Sequence, residues 1–86
     1  MYSVRLSSSR VAKELDELPA AVYERVEEAI LALREEPRPR SCVKLIGSPI
    51  GDYRIRVGGY RIIYDIYDEH REVVILRIAK RGSVYR

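Results

Sequence analysis

The feature that most constrains the fold is a glycine pair, Gly58-Gly59, set between two alternating runs of apolar and polar residues. The whole stretch, residues 53–66, reads YRIRVGGYRIIYDI. Alternation with a period of two is typical of a strand that is buried on one side. Two glycines between such strands are a strong hairpin signal, because primed turns require positive φ angles. The sequence therefore predicts a β-hairpin whose turn is Gly58-Gly59.

Pairing across this turn determines the two faces of the hairpin. With a two-residue turn, Val57 faces Tyr60 and Arg56 faces Arg61. One face is apolar and is predicted to be the core; its residues are Tyr53, Ile55, Val57, Tyr60, Ile62, Tyr64 and Ile66. The opposite face carries Arg54, Arg56, Arg61, Ile63, Asp65 and Tyr67. The sequence thus predicts a cluster of arginines on the side away from the core.

The remaining elements follow from similar patterns. Residues 2–6 alternate like a first strand, and residues 72–79 like a last one. Two helices are predicted on either side of Pro19, which cannot continue a helix but fits the first turn of a new one. Their apolar stripes consist of Val11, Ala12, Leu15 and Leu18, and then of Val22, Val26, Ala29, Ile30 and Leu33. The prolines in EEPRPR (residues 35–40) end the second helix, and residues 37–51 are expected to be a loop.

The predicted fold class is α+β, an antiparallel β-sheet with an N-terminal helical hairpin packed on one face, in the order β-α-α-β-β-β. The chain has 86 residues, so residues 1–86 are expected to form a single domain. No apolar run reaches the roughly 20 residues of a membrane span. The N-terminus lacks the layout of a secretion signal, so a cytoplasmic protein is expected.

Cys42 is the single cysteine and His70 the single histidine of the sequence. A single cysteine cannot form an internal disulfide, and a zinc site needs more ligands than these two residues supply. No metal or other cofactor is therefore expected. Both residues are interpreted as bystanders. The acidic residues Glu14, Asp16 and Glu17 of the first helix are interpreted as a solvated helix face.

Charge is unevenly distributed along the chain. Residues 1–36 contain five Lys and Arg against eight Asp and Glu, whereas residues 37–86 contain eleven against five. This asymmetry indicates that the C-terminal half meets a polyanion, although charge alone does not separate RNA, DNA and an acidic protein. Like charges facing each other across two strands are destabilising, so an external anion would account for Arg56 opposite Arg61. The alternative is a solvated face whose arginines pair with Asp65.

Three stretches of the sequence together resemble the RelE/ParE superfamily of bacterial and archaeal toxins. They are LPAAVYERVEEAILALREEPRP, VKLIGSPIGDYRIRVGGYRIIYDIYDE and VVILRIAKRGSVYR, and they span nearly the whole chain. Their most specific parts are the YRIRVGGYRIIY hairpin and the closing KR…VY. The resemblance implies a compact sheet with two N-terminal helices, similar to microbial ribonucleases, and a RelB-type antitoxin that wraps and silences the toxin.

The RelE-like branch of this superfamily consists of mRNA interferases, endoribonucleases that cut messages in the ribosomal A site. The resemblance implies this activity here, with the ribosome and the message as partners. Arg61 matches the arginine that steadies charge on the transition state, Arg81 the arginine near the leaving 5′-oxygen, and Tyr85 a tyrosine that orients or stacks on the nucleotide. The residues assigned to holding RNA are Arg54, Arg56 and Lys80.

Two other functions remain open at this point. ParE-like members inhibit DNA gyrase and generally lack this basic set, so a gyrase inhibitor is the second hypothesis. The third is an attenuated relative that mainly binds antitoxin and operator DNA, because arginines occupy positions 54 and 56 where the enterobacterial type member has lysines. Arginine clamps phosphate but does not act as a base. Positioning and charge stabilisation are therefore expected to supply most of the rate.

Overall fold

The computed structural model describes residues 1–80, which form five strands, two α-helices and one 3₁₀ turn. The elements are β1 (Ser3–Leu6), α1 (Ser9–Asp16), α2 (Ala20–Ala32), β2 (Val43–Lys44), β3 (Tyr53–Val57), β4 (Tyr60–Tyr67) and β5 (Glu72–Lys80). The 3₁₀ turn, Asp68–His70, joins β4 to β5. The predicted α+β class and element order are confirmed, with the short strand β2 added inside the segment predicted to be a loop.

The two helices pack on one face of the sheet, as predicted. Pro19 is the N-cap of α2 with a φ of −55°, so it separates the two helices as its missing amide hydrogen dictates. The apolar stripes are buried at Val11 of α1 and at Val26 and Ile30 of α2. They join Leu33 and the sheet residues Ile55, Ile62, Tyr64, Val73, Ile75 and Ile78 in one core cluster. Within residues 1–80, neither helix has the length and apolar content needed to cross a membrane.

The sheet is mixed rather than wholly antiparallel. Its strand order is β1-β5-β4-β3-β2, and the pairs β2–β3, β3–β4 and β4–β5 are antiparallel. β1 lies at the far edge, parallel to β5. Parallel pairing needs a long connection between two strands, and here both helices and three strands separate β1 from β5. The short strand β2 forms the other edge, where Val43 pairs with Arg54.

The hairpin of β3 and β4 has the predicted register. Val57 pairs with Tyr60, and Arg56 pairs with Arg61. Gly58 has a φ of 58°, the left-handed conformation that a primed two-residue turn requires at its first central position. The turn chemistry read from the glycine pair therefore determines which residues share a face.

The pairing of β4 with β5 contains an irregularity that the sequence did not reveal. Tyr64 pairs with Ile75 and Ile63 pairs with Arg77, so the register shifts at this point and Leu76 is the extra residue of β5. The sequence alone left the face of Arg77 open, because a one-residue change reverses every side chain of a strand. The observed register places Arg77 on the same face as Ile63, away from the core.

The loop between β2 and β3 covers part of that outward face. Gly51 is buried there, and a Cβ at this position would lie 2.6 Å from Leu76 Cδ1 and 2.9 Å from Ile63 Cγ2. The main-chain N–H of Asp52 donates a hydrogen bond of 2.7 Å to Asp65 Oδ1. Asp65 therefore anchors the loop, and Ile63 has no exposed surface.

Candidate nucleic-acid interface

Arginines from three adjacent strands surround the outward side of Ile63. Arg54 of β3 pairs with Ile63 from one side, and Arg77 of β5 pairs with it from the other. Arg56 and Arg61 form the next row toward the turn. Directly opposite residues lie about 5 Å apart and diagonal ones about 7–8 Å apart, so these side chains occupy one patch. We call Arg54, Arg56 and Arg61 the arginine face; Arg77 borders it.

Arg54 is the most constrained member of the arginine face. Its side chain is half-buried, and its Nε and Nη1 atoms are buried without a hydrogen-bond partner within residues 1–80. Leaving a buried donor unsatisfied costs about 1–3 kcal/mol, and more when the group is charged. An anion that reaches these two N–H groups would remove that cost, and a phosphate oxygen pair matches the planar fork of arginine.

The end of the hairpin near Gly58-Gly59 carries further positive charge. Arg61 is half-buried and Arg56 is exposed. Arg25 of α2, which the sequence interpretation did not include, also reaches this end. Its Nη1 lies 3.4 Å from the position that a Cβ on Gly58 would occupy. Only the folded chain reveals this neighbour, because its helix and the turn are far apart in sequence.

Of the three site residues predicted in the segment 80–85, the structure describes only Lys80. Lys80 pairs with Tyr60, one row beyond Arg61 and Ala79. Because side chains alternate along a strand, this register directs Lys80 to the helix side of the sheet, at the same end as the turn. Arg81 and Tyr85 lie outside the described residues.

Glu14 contradicts the interpretation of α1 as carrying a solvated acidic face. Its Oε2 accepts a hydrogen bond of 2.9 Å from Arg77 Nε, and its Oε1 accepts one of 2.9 Å from the main-chain N–H of Ile78. Arg10 Nε lies 3.7 Å from the same Oε2. The Glu14 side chain is only 18% exposed, whereas Asp16 and Glu17 are exposed. The prediction is wrong for Glu14, because α1 packs beside β5 where β1 has already ended.

A second polar cluster lies at the opposite end of β4. Asp68 accepts hydrogen bonds of 3.2 Å and 2.8 Å from Arg38 Nη1 and Nη2, and one of 2.6 Å from the Tyr2 hydroxyl. Arg38 Nε donates to the hydroxyl of Tyr53 at 3.2 Å. The Arg38 hydrogen bonds, and then that of Tyr2, lower the pKa of Asp68 to about 2. This cluster ties the segment after α2 to the 3₁₀ turn, and its arginine already has a carboxylate partner.

The described residues offer no metal site. No group of three or more His, Cys, Asp or Glu in residues 1–80 is arranged to hold a metal ion. His70 ends the 3₁₀ turn, at the other end of β4 from Gly58-Gly59. Cys42 is a half-buried free thiol. Neither residue is part of the arginine face.

The helix side of the molecule has a groove of about 630 Å³ between β1 and α2. Most of its lining is apolar, with Val4 and Leu6 from β1 and Ile30 and Leu31 from α2. Leu31 remains 48% exposed, so it adds accessible apolar surface to the groove. The groove runs along the outer edge of β1, which no other strand pairs with in the part of the chain that is described.

Comparisons with known proteins agree in sequence and in fold. Over residues 6–85 the chain matches a family model described as the ParE toxin of the type II toxin–antitoxin system parDE. Toxin RelG of Mycobacterium tuberculosis is 35% identical, and the alignment covers 99% of this chain and 97% of RelG. The archaeal RelE–RelB complex of Pyrococcus horikoshii has a chain that is 37% identical with a TM-score of 0.81, covering 95% and 97% of the two chains. The toxin–antitoxin complex RelBE2 of Mycobacterium tuberculosis gives 36% identity and a TM-score of 0.79, covering 93% and 98%.

Proposed function

Since this chain belongs to the RelE/ParE superfamily of toxins of type II toxin–antitoxin systems, we propose that it stops translation by cutting messenger RNA. The proposed reaction is ribosome-dependent and takes place in the cytoplasm, on a message held in the ribosomal A site. The RNA 2′-hydroxyl attacks the adjacent phosphorus, and the bond to the 5′-oxygen of the next nucleotide breaks. The 2′-hydroxyl proton is lost and the leaving 5′-oxygen gains one, so a cyclic phosphate and a 5′-hydroxyl end result.

The observation that carries this proposal is Arg54 of the arginine face, whose Nε and Nη1 are buried and have no hydrogen-bond partner among residues 1–80. A chain selected only for stability would not bury two N–H groups of a charged side chain without hydrogen-bond acceptors. A phosphodiester supplies the missing acceptors, and the neighbouring rows of Arg56 and Arg61 extend the same positive surface along it. Arg54 and Arg56 are accordingly proposed to hold the RNA backbone. Lys80, which the register directs to the helix side at the turn end of the sheet, is proposed to reach the backbone from there.

Chemistry at the phosphorus is assigned to three residues. Arg61 is proposed to stabilise the charge that develops on the phosphorane-like transition state. A preorganised guanidinium in a site that excludes water stabilises such charge far more strongly than one in water. Arg81 is proposed to act near the leaving 5′-oxygen, and Tyr85 to orient the nucleotide or stack on it. Arginine does not release its proton in proteins. In-line positioning of the 2′-hydroxyl and charge stabilisation therefore provide most of the rate.

The partner proposed for the groove between β1 and α2 is a RelB-type antitoxin. The groove is apolar and lies beside an open strand edge, two features that suit an added strand or an amphipathic helix. Arg5 and Arg34 also line it, against one acidic residue, Glu27, so acidic residues are expected on the antitoxin segment. The solved complexes of similar toxins with RelB-type antitoxins support a partner of this kind.

Primer extension on translated messages tests the proposed activity. Purified toxin is added to a reconstituted translation system, and to the same message without ribosomes. Cuts within codons are expected only with translating ribosomes, and they should disappear with Arg61→Ala. Arg40→Ala is the matched control, because Arg40 is an exposed arginine that is not a member of the arginine face. Messages that stay intact on ribosomes with the parent chain would refute the proposal.

A gyrase inhibitor is the second candidate, because the family model that matches the chain is described as a ParE toxin. A supercoiling assay with purified gyrase separates the two functions. We expect unchanged supercoiling at toxin concentrations that cut messages. Inhibited supercoiling together with intact messages would favour the ParE-type activity instead.

A further inference from the structure

We infer that Glu14 is a positioning residue that withholds Arg77 from RNA and fixes the end of β5 beside Arg61. The inference rests on the proposed function for its effect on cleavage. Its structural part concerns contacts that can be measured in the toxin alone. Glu14 was not among the residues that the sequence indicated for any role in the site.

The first step is the open edge of β5. β1 pairs with β5 only as far as Leu6 opposite Ile75, and the N–H of Ser7 then donates to the Ile75 carbonyl at 2.9 Å. β5 continues to Lys80, so no strand within the described range covers this edge over residues 76–80. Unpaired edge groups are solvated or recruit another chain. Glu14 Oε1 replaces the missing strand at one position by accepting the Ile78 N–H.

The second step is the partner of Arg77. This arginine shares a row with Arg54 and Ile63, so strand alternation alone would add it to the arginine face. Its Nε instead donates to Glu14 Oε2 at 2.9 Å, and the two side chains are 22% and 18% exposed. A partly buried, charge-assisted bond of this length is among the stronger side-chain contacts. Arg77 is therefore neutralised at the border of the arginine face.

The third step links Glu14 to Arg61. Ile78, whose N–H Glu14 holds, precedes Ala79, and Ala79 pairs directly with Arg61. Glu14 thus holds the strand that supports Arg61 from one side. A displacement of about 1 Å in a reacting group can cost on the order of a hundredfold in rate. Losing this contact should slow cleavage even though no atom of Glu14 touches RNA.

The test compares Glu14→Ala and Glu14→Gln with Glu17→Ala. The control, Glu17, is the C-cap residue of the same helix and is exposed, and Glu17→Ala changes the net charge by the same amount as Glu14→Ala. Three quantities are measured in the full chain: hydrogen exchange of the Ile78 amide, the salt dependence of binding to a single-stranded RNA oligonucleotide, and cleavage of a message on ribosomes. Together they separate a positioning role from a general loss of stability.

Glu14→Ala is expected to raise the exchange rate of the Ile78 amide at least tenfold. Arg77 is released and can contact one more phosphate, so the slope of log K against log salt should steepen by about 0.7. Cleavage should fall about tenfold or more while binding does not weaken, a combination that partial unfolding would not produce. Glu14→Gln keeps an oxygen for Ile78, so it should keep the exchange protection and change the salt slope alone.

Arg77→Ala provides the decisive comparison. If Arg77 is withheld from RNA, its removal leaves the salt slope of the parent chain unchanged. A slope reduced by about 0.7 would mean that Arg77 binds phosphate directly, and would overturn the inference. The inference would also be overturned if Glu14→Ala matched Glu17→Ala in both the Ile78 exchange rate and the salt slope. If Glu14→Ala does not fold, the salt slope of Glu14→Gln decides instead. If the parent chain cuts no message on ribosomes, the proposed function fails, and exchange and binding still decide the role of Glu14.

Discussion

Arg54 of β3 lies directly opposite Ile63 of β4, a residue with no exposed surface. The Arg54 guanidinium therefore lies beside a buried apolar side chain. Two of its nitrogens are buried and lack a hydrogen-bond partner within residues 1–80. An unsatisfied charged donor lowers the stability of the chain that carries it. This cost is consistent with the proposal that the outward side of the hairpin binds an anion, which would supply the missing acceptors.

Replacing Arg54 with Met should make the free toxin more stable and weaken its binding to RNA. Methionine has a similar length and needs no hydrogen bonds, so the free energy of unfolding should rise by about 1 kcal/mol. Urea unfolding in chloride buffer measures this change. Phosphate stabilises folded proteins in general, so in phosphate buffer of equal ionic strength the parent chain should gain more stability than Arg54→Met does. Arg40→Met is the control, and a clear loss of stability in Arg54→Met would show that its N–H groups have acceptors in the free chain.

Arg61 should be needed for cleavage through both its charge and its planar shape. Arg61→Ala is expected to lower the rate of message cleavage on ribosomes by about 10²–10³-fold, the usual cost of removing one donor at a developing negative charge. Arg61→Lys keeps the charge but loses the bidentate fork, so an intermediate rate is expected. Single-turnover cleavage of a ribosome-bound message measures both variants. Equal rates for Arg61→Ala and the parent chain would remove Arg61 from the mechanism.

Much of the fold could be predicted because its determinants are local. The glycine pair determines the position of the turn. The turn then determines the strand register, in which Arg56 pairs with Arg61 and Val57 with Tyr60. Pro19 likewise separates the two helices, because its ring removes the backbone N–H that a continuing helix would need. The parallel pairing of β1 was not predictable in this way, because it joins strands from the two ends of the chain and leaves no mark in the local pattern.

The candidate site was predictable only in part, for the same reason. Alternation within one strand was enough to put Arg54 and Arg56 on one face. The contact between Glu14 and Arg77 depends on how far β5 extends beyond β1, and on the register shift next to Ile63. Both are properties of the assembled sheet, so a pattern of charges on α1 could not reveal them.

Acid should destabilise the toxin partly through Asp68. Its pKa is held at about 2 by the hydrogen bonds from Arg38 and Tyr2, whereas an aspartate in an unfolded chain has a pKa of about 3.9. The folded carboxylate binds its proton less readily, so its stabilising contribution is fully present above about pH 4 and is lost as the pH falls through 2. Asp68→Asn should lower stability at neutral pH and flatten this decline.

Urea unfolding at a series of pH values measures the effect of Asp68. Glu69→Gln is the control, because Glu69 is the exposed neighbour in the same 3₁₀ turn. Its profile should follow that of the parent chain. An Asp68→Asn chain with the full acid decline between about pH 4 and 2 would place the titrating group elsewhere.

A side chain at Gly51 should be destabilising, because the loop that Gly51 belongs to lies directly on the outward face of the sheet. A Cβ would stand 2.6 Å from Leu76 Cδ1 and 2.9 Å from Ile63 Cγ2, so both side chains must move. Gly51→Ala should cost about 1–3 kcal/mol in the free energy of unfolding. Gly59→Ala is the control, since a Cβ there meets nothing within 4 Å. Equal midpoints of urea unfolding for the two variants would contradict this packing.

Leu31 should be needed for antitoxin binding and dispensable for cleavage. It lines the groove between β1 and α2 and is 48% exposed, so Leu31→Glu places a charge on a surface proposed to bury apolar antitoxin residues, with little effect on the core. We expect the affinity for the cognate antitoxin to fall at least tenfold, about 1.4 kcal/mol, because a buried carboxylate would lack a partner.

Ile46→Glu is the matched control for Leu31→Glu, because Ile46 is an apolar residue that is 94% exposed and does not line the groove. Titration calorimetry with the antitoxin measures both affinities, and message cleavage on ribosomes should be the same for both variants. Since an antitoxin that docks elsewhere would not meet Leu31, an affinity that falls no further for Leu31→Glu than for Ile46→Glu would exclude the groove as its binding site.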